Sequence, residues 1–538
     1  MRRWNGWGDE STTYPLPSAA ERYLQERIGQ GSRQPNAPLE GLLQVVPASR
    51  LPVHPAINTD PLERLLHARG QSLPDWIALR SGRIKTFPDG VAYPETDEQV
   101  RELLSFAQKQ MVRVIPFGGG TSVVGHINPL PDFGPVLTID LSRMNRLTGF
   151  DETSRLATIG AGAAGPWLEA QLQEHGYTLG HFPQSFELST LGGWIATRSS
   201  GQQSYYYGRI EDVFAGGHVE TLAGPLDLQP FPASAAGPDL RQVILGSEGR
   251  LGIITRAIVK VRPKPAFEAF YGAFFPDWES GILAVRELAQ ERAALSMARL
   301  SDAQETETTL ALSGKGNLVA WAGRGMSLIG YGQERCLLVF GITGETGSAR
   351  GVYRRTAKII RRHGGLLAGQ VIGKIWQKSR FRTPYLRNTL WEHGYALDTL
   401  ETAVPWTEVQ TSAHDIVENV QQALAEDNEP GMVFAHLSHI YETGASIYIT
   451  YLFRRSQDPL ETLAHWKKMK RSASEAILAH GGTISHQHGV GLDHAPYIGV
   501  EKGEVGIEML GDLIKSTDPY ELLNPGKLLP EGKRRERE

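Results

Sequence analysis

From Val100 onward the apolar residues Val100, Leu103, Leu104 and Ala107 fall at i, i+3, i+4 and i+7, which places them on one face of a helix. Thr96 and Gln99 stand at the spacing of a Thr-x-x-Gln capping box, so this amphipathic helix is predicted to start near Thr96. The pattern then changes abruptly: a short apolar strand, Val-Arg-Val-Ile-Pro-Phe117, runs straight into Gly118, Gly119 and Gly120.

Further runs rich in Val, Ile and Thr, at Val136–Leu141, Ala157–Gly160, Val243–Leu245 and Ile253–Val261, are broken by glycine and read as strands. Strands alternating with a few helices predict an α+β domain over residues 83–264. Upstream, residues 1–82 carry helical patterns at Ala19–Ile28 and Pro61–Arg69 and read as an extension packed on the main body, with charged positions on solvated helix faces. Arg262-Pro-Lys-Pro265 reads as a linker into a second unit, residues 265–500. A strand near Phe270–Phe275 and a helix near Ile282–Glu291 open that unit, and their repetition suits an antiparallel sheet with helices on one face. Between Ser301 and Gly332 a polar, Gly- and Thr-rich stretch holds isolated apolar residues, Leu318, Val319, Trp321, Met326 and Leu328, and reads as a lid over an apolar tunnel or as a surface insertion.

With 538 residues the chain has room for two or three domains, and its 41% apolar and 21% charged residues are those of an ordinary globular protein. A net charge of −4 gives no footprint for nucleic acid. A single cysteine, Cys336, excludes intrachain disulfides and cysteine-rich metal sites. The sequence shows no run of 18 apolar residues, no signal-peptide core and no peroxisomal tripeptide, so a cytoplasmic protein is the default expectation.

The glycine triplet lets several backbone N–H groups converge on one anion, since glycine tolerates positive φ and puts no side chain in the way. It lacks the Gly-Lys-Ser/Thr ending of a P-loop, has Val123 where a dinucleotide fingerprint has its last glycine, and equally suits a tight turn between strands. Three more small-residue stretches lie in the same domain: Gly160–Gly165, His181–Gly193 and Gly246–Gly252. Four together point to backbone closely surrounding a large, flat, phosphate-bearing ligand.

Pro116–Val123, Pro183–Thr190 with Gly192–Gly201, Glu248–Ile254 and, near the C-terminus, Asp518–Lys527 resemble the FAD-binding domain of the vanillyl-alcohol oxidase type. That resemblance implies a two-subdomain PCMH-type FAD-binding domain, an α+β cap with an antiparallel sheet, and a segment 501–538 that returns to the FAD domain. It places the cofactor on Pro116, Phe117, Gly118, Gly119, Gly120, Thr121, Ser122 and Val123, on Gln184, Ser185, Ser189, Thr190, Gly193, Thr197, Arg198, Ser199 and Ser200, and on Glu248, Gly249, Leu251, Gly252 and Ile254. Some members attach flavin through a histidine after the loop glycines; Thr121 stands there, so FAD is expected to be non-covalent and His126 structural.

Two cap stretches carry histidines, Ala435–Tyr448 and Ser485–Gly491. Flavin-dependent 2-hydroxy acid dehydrogenases of this superfamily bind a metal there through a His…His pair and Glu-His-Gly. His436 and His488 match, but Tyr448 and Gln487 replace the second histidine and the carboxylate. A phenol and an amide are poor ligands at neutral pH, since neither is anionic, and no metal is expected. His439 and His494 read as ordinary hydrogen-bonding residues.

The same departures resemble the alkyldihydroxyacetonephosphate synthase family of ether-lipid flavoenzymes, as do Trp4–Gly8, Ala298–Leu300, Tyr385–Arg387 and Gly444–Tyr448. By that resemblance Tyr448 is the catalytic tyrosine, Arg387 the substrate-phosphate arginine and Arg299 a further arginine needed for activity, while His486 and His488 are the outer two of three consecutive histidines, the middle one being Gln487 here. The activity implied is FAD-dependent, redox-neutral exchange of the acyl group of acyl-dihydroxyacetone phosphate for a fatty alcohol. Tyr448 would need neighbouring cations, Arg387, Arg299 or a protonated histidine, to lower its pKa from about 10 and act as base. The alternative is a FAD-dependent oxidoreductase acting on a 2-hydroxy acid or related alcohol. A phosphate-bearing small-molecule or lipid substrate, a homodimer and peripheral membrane contact follow as further implications.

Overall fold

The structure, a computed structural model, describes residues 2–131, 134–312 and 326–530. Thr96 caps the helix Asp97–Gln110 by accepting from the Gln99 amide, but the reciprocal bond of the box goes from the Glu95 amide to Gln99 rather than from Thr96 itself. The apolar stripe, Val100, Leu103, Leu104 and Ala107, is buried against a small sheet of β1 (Ile57–Asn58), β2 (Gly90–Ala92), β3 (Arg113–Phe117) and β4 (Val136–Asp140), ordered β1-β2-β4-β3. β3 and β4 run parallel, and the glycine loop leaves the C-terminal end of β3.

A second sheet, ordered β5-β6-β10-β8-β9, is built from β5 (Leu147–Asp151), β6 (Leu156–Gly160), β8 (Phe214–Thr221), β9 (Gly224–Leu228) and β10 (Ile253–Lys260). It shares one apolar core with the first. Val243–Leu245 is not a strand. The chain forms a helix over Leu240–Ile244, because the Asp239 carboxylate accepts from the Arg241 amide and starts a helical turn before the apolar residues can pair. The Arg262–Pro263 segment, read as linker, is a short strand (β11) paired with β7 (Tyr177–Thr178).

The chain then builds a seven-stranded antiparallel sheet from β12 (Phe267–Phe275), β13 (Met297–Ser301), β14 (Cys336–Gly344), β15 (Leu366–Gly369), β16 (Tyr395–Pro405), β17 (Gly431–Ile440) and β18 (Gly444–Arg454), ordered β15-β12-β14-β13-β17-β18-β16. Helices Trp278–Gln290, Thr346–Arg362, Val409–Ala425 and Pro459–Ala479 bury apolar stripes in the core of this sheet. Side chains alternate along a strand, so Ile447 and Ile449 enter that core while Tyr448 between them faces the other way. Pairing aligns His436 of β17, Tyr448 of β18 and Glu401 of β16 in one row across the sheet.

The N-terminal segment keeps some charges, such as Arg22, Glu26 and Arg27, on a solvated helix face but buries others. Arg64, Asp75 and Arg80 are each 3% exposed or less. Arg64 donates to the carbonyls of Pro88 and Pro47; Arg80 donates to the Asn5 carbonyl and to Asn388 and lies over Trp76 and Trp391. Within the predicted lid, residues 303–312 form a helix, and the positions of Leu318, Val319 and Trp321 lie outside the described residues. None of the described helices is long and apolar enough to cross a membrane.

The chain's last described residues come back to β3. Val114 donates to Leu522 and accepts from Asn524, and the Asp518 carboxylate accepts from the amides of Leu522 and Leu523. Leu523, fully buried in the shared core, anchors this return. Leu523→Ala is expected to lower the unfolding free energy by about 2–5 kcal/mol in urea titration, whereas Val53→Ala, at a fully exposed site, should change it by less than about 0.5 kcal/mol.

Candidate active site

The glycine loop, the 183–199 stretch, the 248–254 turn and the cap close around one cavity, to which the chain's ends contribute Trp7 and Asn524. Among the described residues, the amides of Gly119 through Val123 donate to no protein acceptor, so five consecutive N–H groups are free for an anion. Glycine is required there by close approach: a Cβ on Gly119 would lie 1.8 Å from the Leu188 carbonyl oxygen, and one on Gly118 2.2 Å from Thr190 Oγ1. Ser122 Oγ accepts from the His126 amide and lies 2.7 Å from His126 Nδ1, while His126 Nε2 sits 3.1 Å from Glu248, which agrees with a structural role for His126.

Nearly all the residues read as flavin contacts line this cavity. Three do not: Arg198 lies on the outside with Gln242 and Glu211, Ser200 faces His439, and Leu251 is packed in the core. Glu248 lines the cavity, but its carboxylate is committed to the Val490 and Gly491 amides, at 2.5 and 2.9 Å, and so fastens the cap loop to the flavin domain.

From the cap come Arg387, Tyr448, Gln487 and His488. Arg387, on the helix Thr383–Glu392, stacks over Trp76 at 4.6 Å, donates to the Gln71 carbonyl and approaches Asp398 at 3.9 Å. Its Nε and Nη2 are buried with no hydrogen-bond partner among the described residues. Burial lowers its pKa, opposed by Asp398, Tyr451, Asp75 and Tyr448. A guanidinium stays protonated through such a shift, so these are cationic donors in want of an acceptor.

Tyr448 donates to Thr399 Oγ1 at 3.0 Å and stacks on His436 with ring centres 4.8 Å apart. Burial raises the pKa of its phenol, the Thr399 bond lowers it, Glu401 and Asp398 raise it further, and Arg299 relieves only part. The expected lowering by nearby cations is therefore reversed: burial, with Glu401 and Asp398 adding to it, outweighs Arg299, and Tyr448 carries its proton. His488, edge-on to Tyr448 at 5.8 Å, is kept neutral by burial, which lowers its pKa against Glu401.

Arg299 and His486, read as catalytic, do not reach the cavity wall. Arg299 lies one layer back, donating to Glu305 at 2.7 Å beside His436 Nδ1 at 3.3 Å, where it supports the ring on which Tyr448 stacks. Burial disfavours the Glu305 carboxylate, but His436 and Arg299 outweigh it and hold its pKa down to about 2. His486 is buried beside Glu401, Tyr441 and Arg209.

Asp398, Thr399, Gln71, Trp76 and Pro384 also line the cavity and were missed from sequence, since nothing in their local patterns separates them from ordinary strand, loop and helix residues. Trp7 and Asn524 sit within motifs already noted, Trp4–Gly8 and Asp518–Lys527, and those motifs were the available signal.

Residues 88–224 match a family model described as FAD binding domain, and residues 264–528 one described as FAD linked oxidases, C-terminal domain. The alkyldihydroxyacetonephosphate synthase of Dictyostelium discoideum is 32% identical over 98% of this chain and 93% of its own length, and that of Trypanosoma brucei brucei 31% identical over 88% and 78%. A solved structure of an alkyldihydroxyacetonephosphate synthase superposes with a TM-score of 0.84 at 30% identity, covering 98% of both chains. p-Cresol methylhydroxylase, at 12% identity and a TM-score of 0.64, shares the fold alone. With free loop amides, a buried arginine with two nitrogens lacking hydrogen-bond partners and a protonated tyrosine around one cavity, and likeness spread over the whole chain, the chain belongs to the alkyldihydroxyacetonephosphate synthase family of FAD-binding proteins.

Proposed function

We propose that this protein exchanges the acyl group of an acyl-dihydroxyacetone phosphate for a fatty alcohol, using bound FAD without net oxidation. The observation that carries the reading is Arg387: a buried guanidinium whose Nε and Nη2 lack hydrogen-bond partners among the described residues, with only Asp398 nearby at 3.9 Å, and which lines the same cavity as the glycine loop and Tyr448. A planar fork of donors suits a phosphate on the substrate, distinct from the pyrophosphate that the free amides of residues 119–123 suit.

The residues fit FAD, and bound FAD supplies a ring system able to carry the three-carbon unit between the two half-exchanges without net redox change. The protein supplies the rest. Arg387 fixes the phosphate end, so the carbon bearing the acyl ester is held at a set distance from Tyr448 and His488. One proton must leave that carbon, the carboxylic acid must depart with both its oxygens, and the alcohol oxygen must bond to the same carbon while a proton returns. Neutral His488 has a lone pair with which to accept the first proton, and protonated Tyr448 can donate to an oxygen that develops charge. Glu305, His436 and Arg299 hold Tyr448 from behind. Tyr448 and Gln487, standing where a metal-dependent 2-hydroxy acid dehydrogenase places ligands, favour the exchange over that oxidation.

The deciding experiment mixes the purified flavoprotein anaerobically with palmitoyl-dihydroxyacetone phosphate, then adds hexadecanol. Release of fatty acid and then ether formation, with no lasting bleaching of the flavin, is expected. Bleaching by a 2-hydroxy acid and recovery with an electron acceptor would instead establish a dehydrogenase.

Arg387→Lys should raise KM for the phosphate substrate about 10- to 100-fold while FAD content stays at the wild-type level, because it removes charged hydrogen bonds worth about 1.5–3 kcal/mol; equal loss of both would point to misfolding. Tyr448→Phe should keep FAD and lose about 10²- to 10⁴-fold in turnover. Near-wild-type rates in that variant would remove Tyr448 from the chemistry.

A further inference from the structure

A second cleft, of about 350 Å³, opens where the N-terminal segment meets the cap. Three side chains from separate elements line it: Arg80 in the last turn of the helix Leu73–Ser81, Trp391 on the helix Thr383–Glu392, and Arg455 just beyond β18. None of the three lines the flavin cavity. All are buried, Arg80 to 3%, Trp391 to 5% and Arg455 to 6% exposure.

The donors of these side chains outnumber the acceptors they meet. Arg80 donates through Nε to the Asn5 carbonyl and through Nη2 to Asn388 Oδ1, but its Nη1 is buried with no hydrogen-bond partner among the described residues. Arg455 Nε and Nη2 and Trp391 Nε1 are in the same state. The Arg455 guanidinium lies over the Trp391 ring at 4.2 Å, and that of Arg80 at 5.6 Å. Stacking engages the face of a guanidinium and leaves the N–H donors on its edge unused. Buried donors in that position carry a cost that only an acceptor removes.

No acid of the cleft supplies that acceptor. Among the described residues that line it, Arg80, Arg83 and Arg455 carry charge and none is an aspartate or glutamate. Asp458 stands near the rim, but it pairs with Arg83 at 3.2 Å, both side chains about half exposed, and accepts from the Leu460 amide. Burial brings the Arg80 pKa down to about 9; Glu392 opposes this, and Arg455, Arg3 and Arg387 add to it. Burial alone brings Arg455 to about 10. Both guanidinium groups are thus protonated at neutral pH and repel each other, and an anion between them relieves that repulsion as well as filling their empty hydrogen bonds.

We propose that this cleft binds a phosphate group, held by Arg80, Arg455 and Trp391. Donors that arrive from three elements call for oxygens in more than one plane, which a tetrahedral oxyanion has and a planar carboxylate lacks, and the edge of a guanidinium meets phosphate oxygens in pairs. The group joins the N-terminal helix that carries Arg80 to the two cap segments that carry Trp391 and Arg455. Arg80 also lies over Trp76 at 4.8 Å, the residue on which Arg387 rests, so the occupied cleft braces a wall of the flavin cavity from behind.

The test uses the FAD-loaded full-length protein, its glycine loop already filled, in chloride buffer of constant ionic strength. Equilibrium dialysis against radiolabelled inorganic phosphate is expected to show uptake at millimolar concentration, and the melting temperature to rise with the logarithm of phosphate concentration. Arg455→Gln should keep its FAD, weaken phosphate binding at least about tenfold and lose the rise, while Arg455→Lys, which keeps the charge without the fork, should retain part of both. Arg83→Gln should change the affinity by about twofold or less, since Asp458 already pairs with that side chain at the surface. Arg387→Lys separates the cleft from the flavin cavity, because binding that depends on Arg455 should survive it. Tighter binding of glycerol phosphate than of inorganic phosphate, again lost in Arg455→Gln, would mark the occupant as an organic phosphate; equal binding would mark it as the free ion. No uptake by wild type, uptake by folded Arg455→Gln protein equal to wild type, or loss of all uptake in Arg387→Lys would overturn the proposal and leave Arg80, Trp391 and Arg455 as a structural stack only.

Discussion

A cation buried without enough acceptors sets the terms of this structure. Arg387 lies on a cap helix, rests on Trp76 of the N-terminal segment and donates to the Gln71 carbonyl there, while Asp398 faces it from β16. Removing a guanidinium from water costs several kcal/mol unless its donors are satisfied, and here part of that satisfaction is left to whatever enters the cavity. The parts of the chain that hold Arg387 are therefore the same parts that shape the site, and the N-terminal segment belongs to the catalytic unit.

The same logic runs through the boundaries that join the flavin domain to the cap and to the returning C-terminal segment. Glu248 is spent on the amides of Val490 and Gly491, Lys527 on the carbonyl of Asn128, and Asn524 on the carbonyl of Glu248. Buried polar groups that bond across these boundaries fix their register, because a shift would leave several of them unpaired at once. Such a seam gives the rigid spacing that a reaction with two successive substrates at one carbon needs.

Electrostatics in the cap divides its tyrosine and histidines by depth. Tyr448 keeps its proton because burial and the carboxylates Glu401 and Asp398 oppose a phenolate, and His488 stays neutral because burial opposes the imidazolium. A protonated phenol and a neutral imidazole thus stand edge to edge on one wall, the opposite of the lowered phenol pKa expected from neighbouring cations.

The sequence by itself determined the glycine loop and the pattern of the cap, because local signals suffice for them: a strand meeting three glycines, and strand alternation that turns Tyr448 away from Ile447 and Ile449; the cofactor came from the resemblance of several motifs taken together. It also carried Arg387 and His488, through motifs retained over the whole chain. Tertiary structure decided what depends on long-range neighbours. Only folding buries Arg64 and Arg80, whose charges read as solvated; turns Val243–Leu245 into the end of a helix through Asp239; withdraws Arg299 and His486 behind the wall; and brings Trp391 and Arg455 to Arg80 from separate segments. Burial and proximity set desolvation and pKa, and both are properties of the packed chain, which no local run of residues contains.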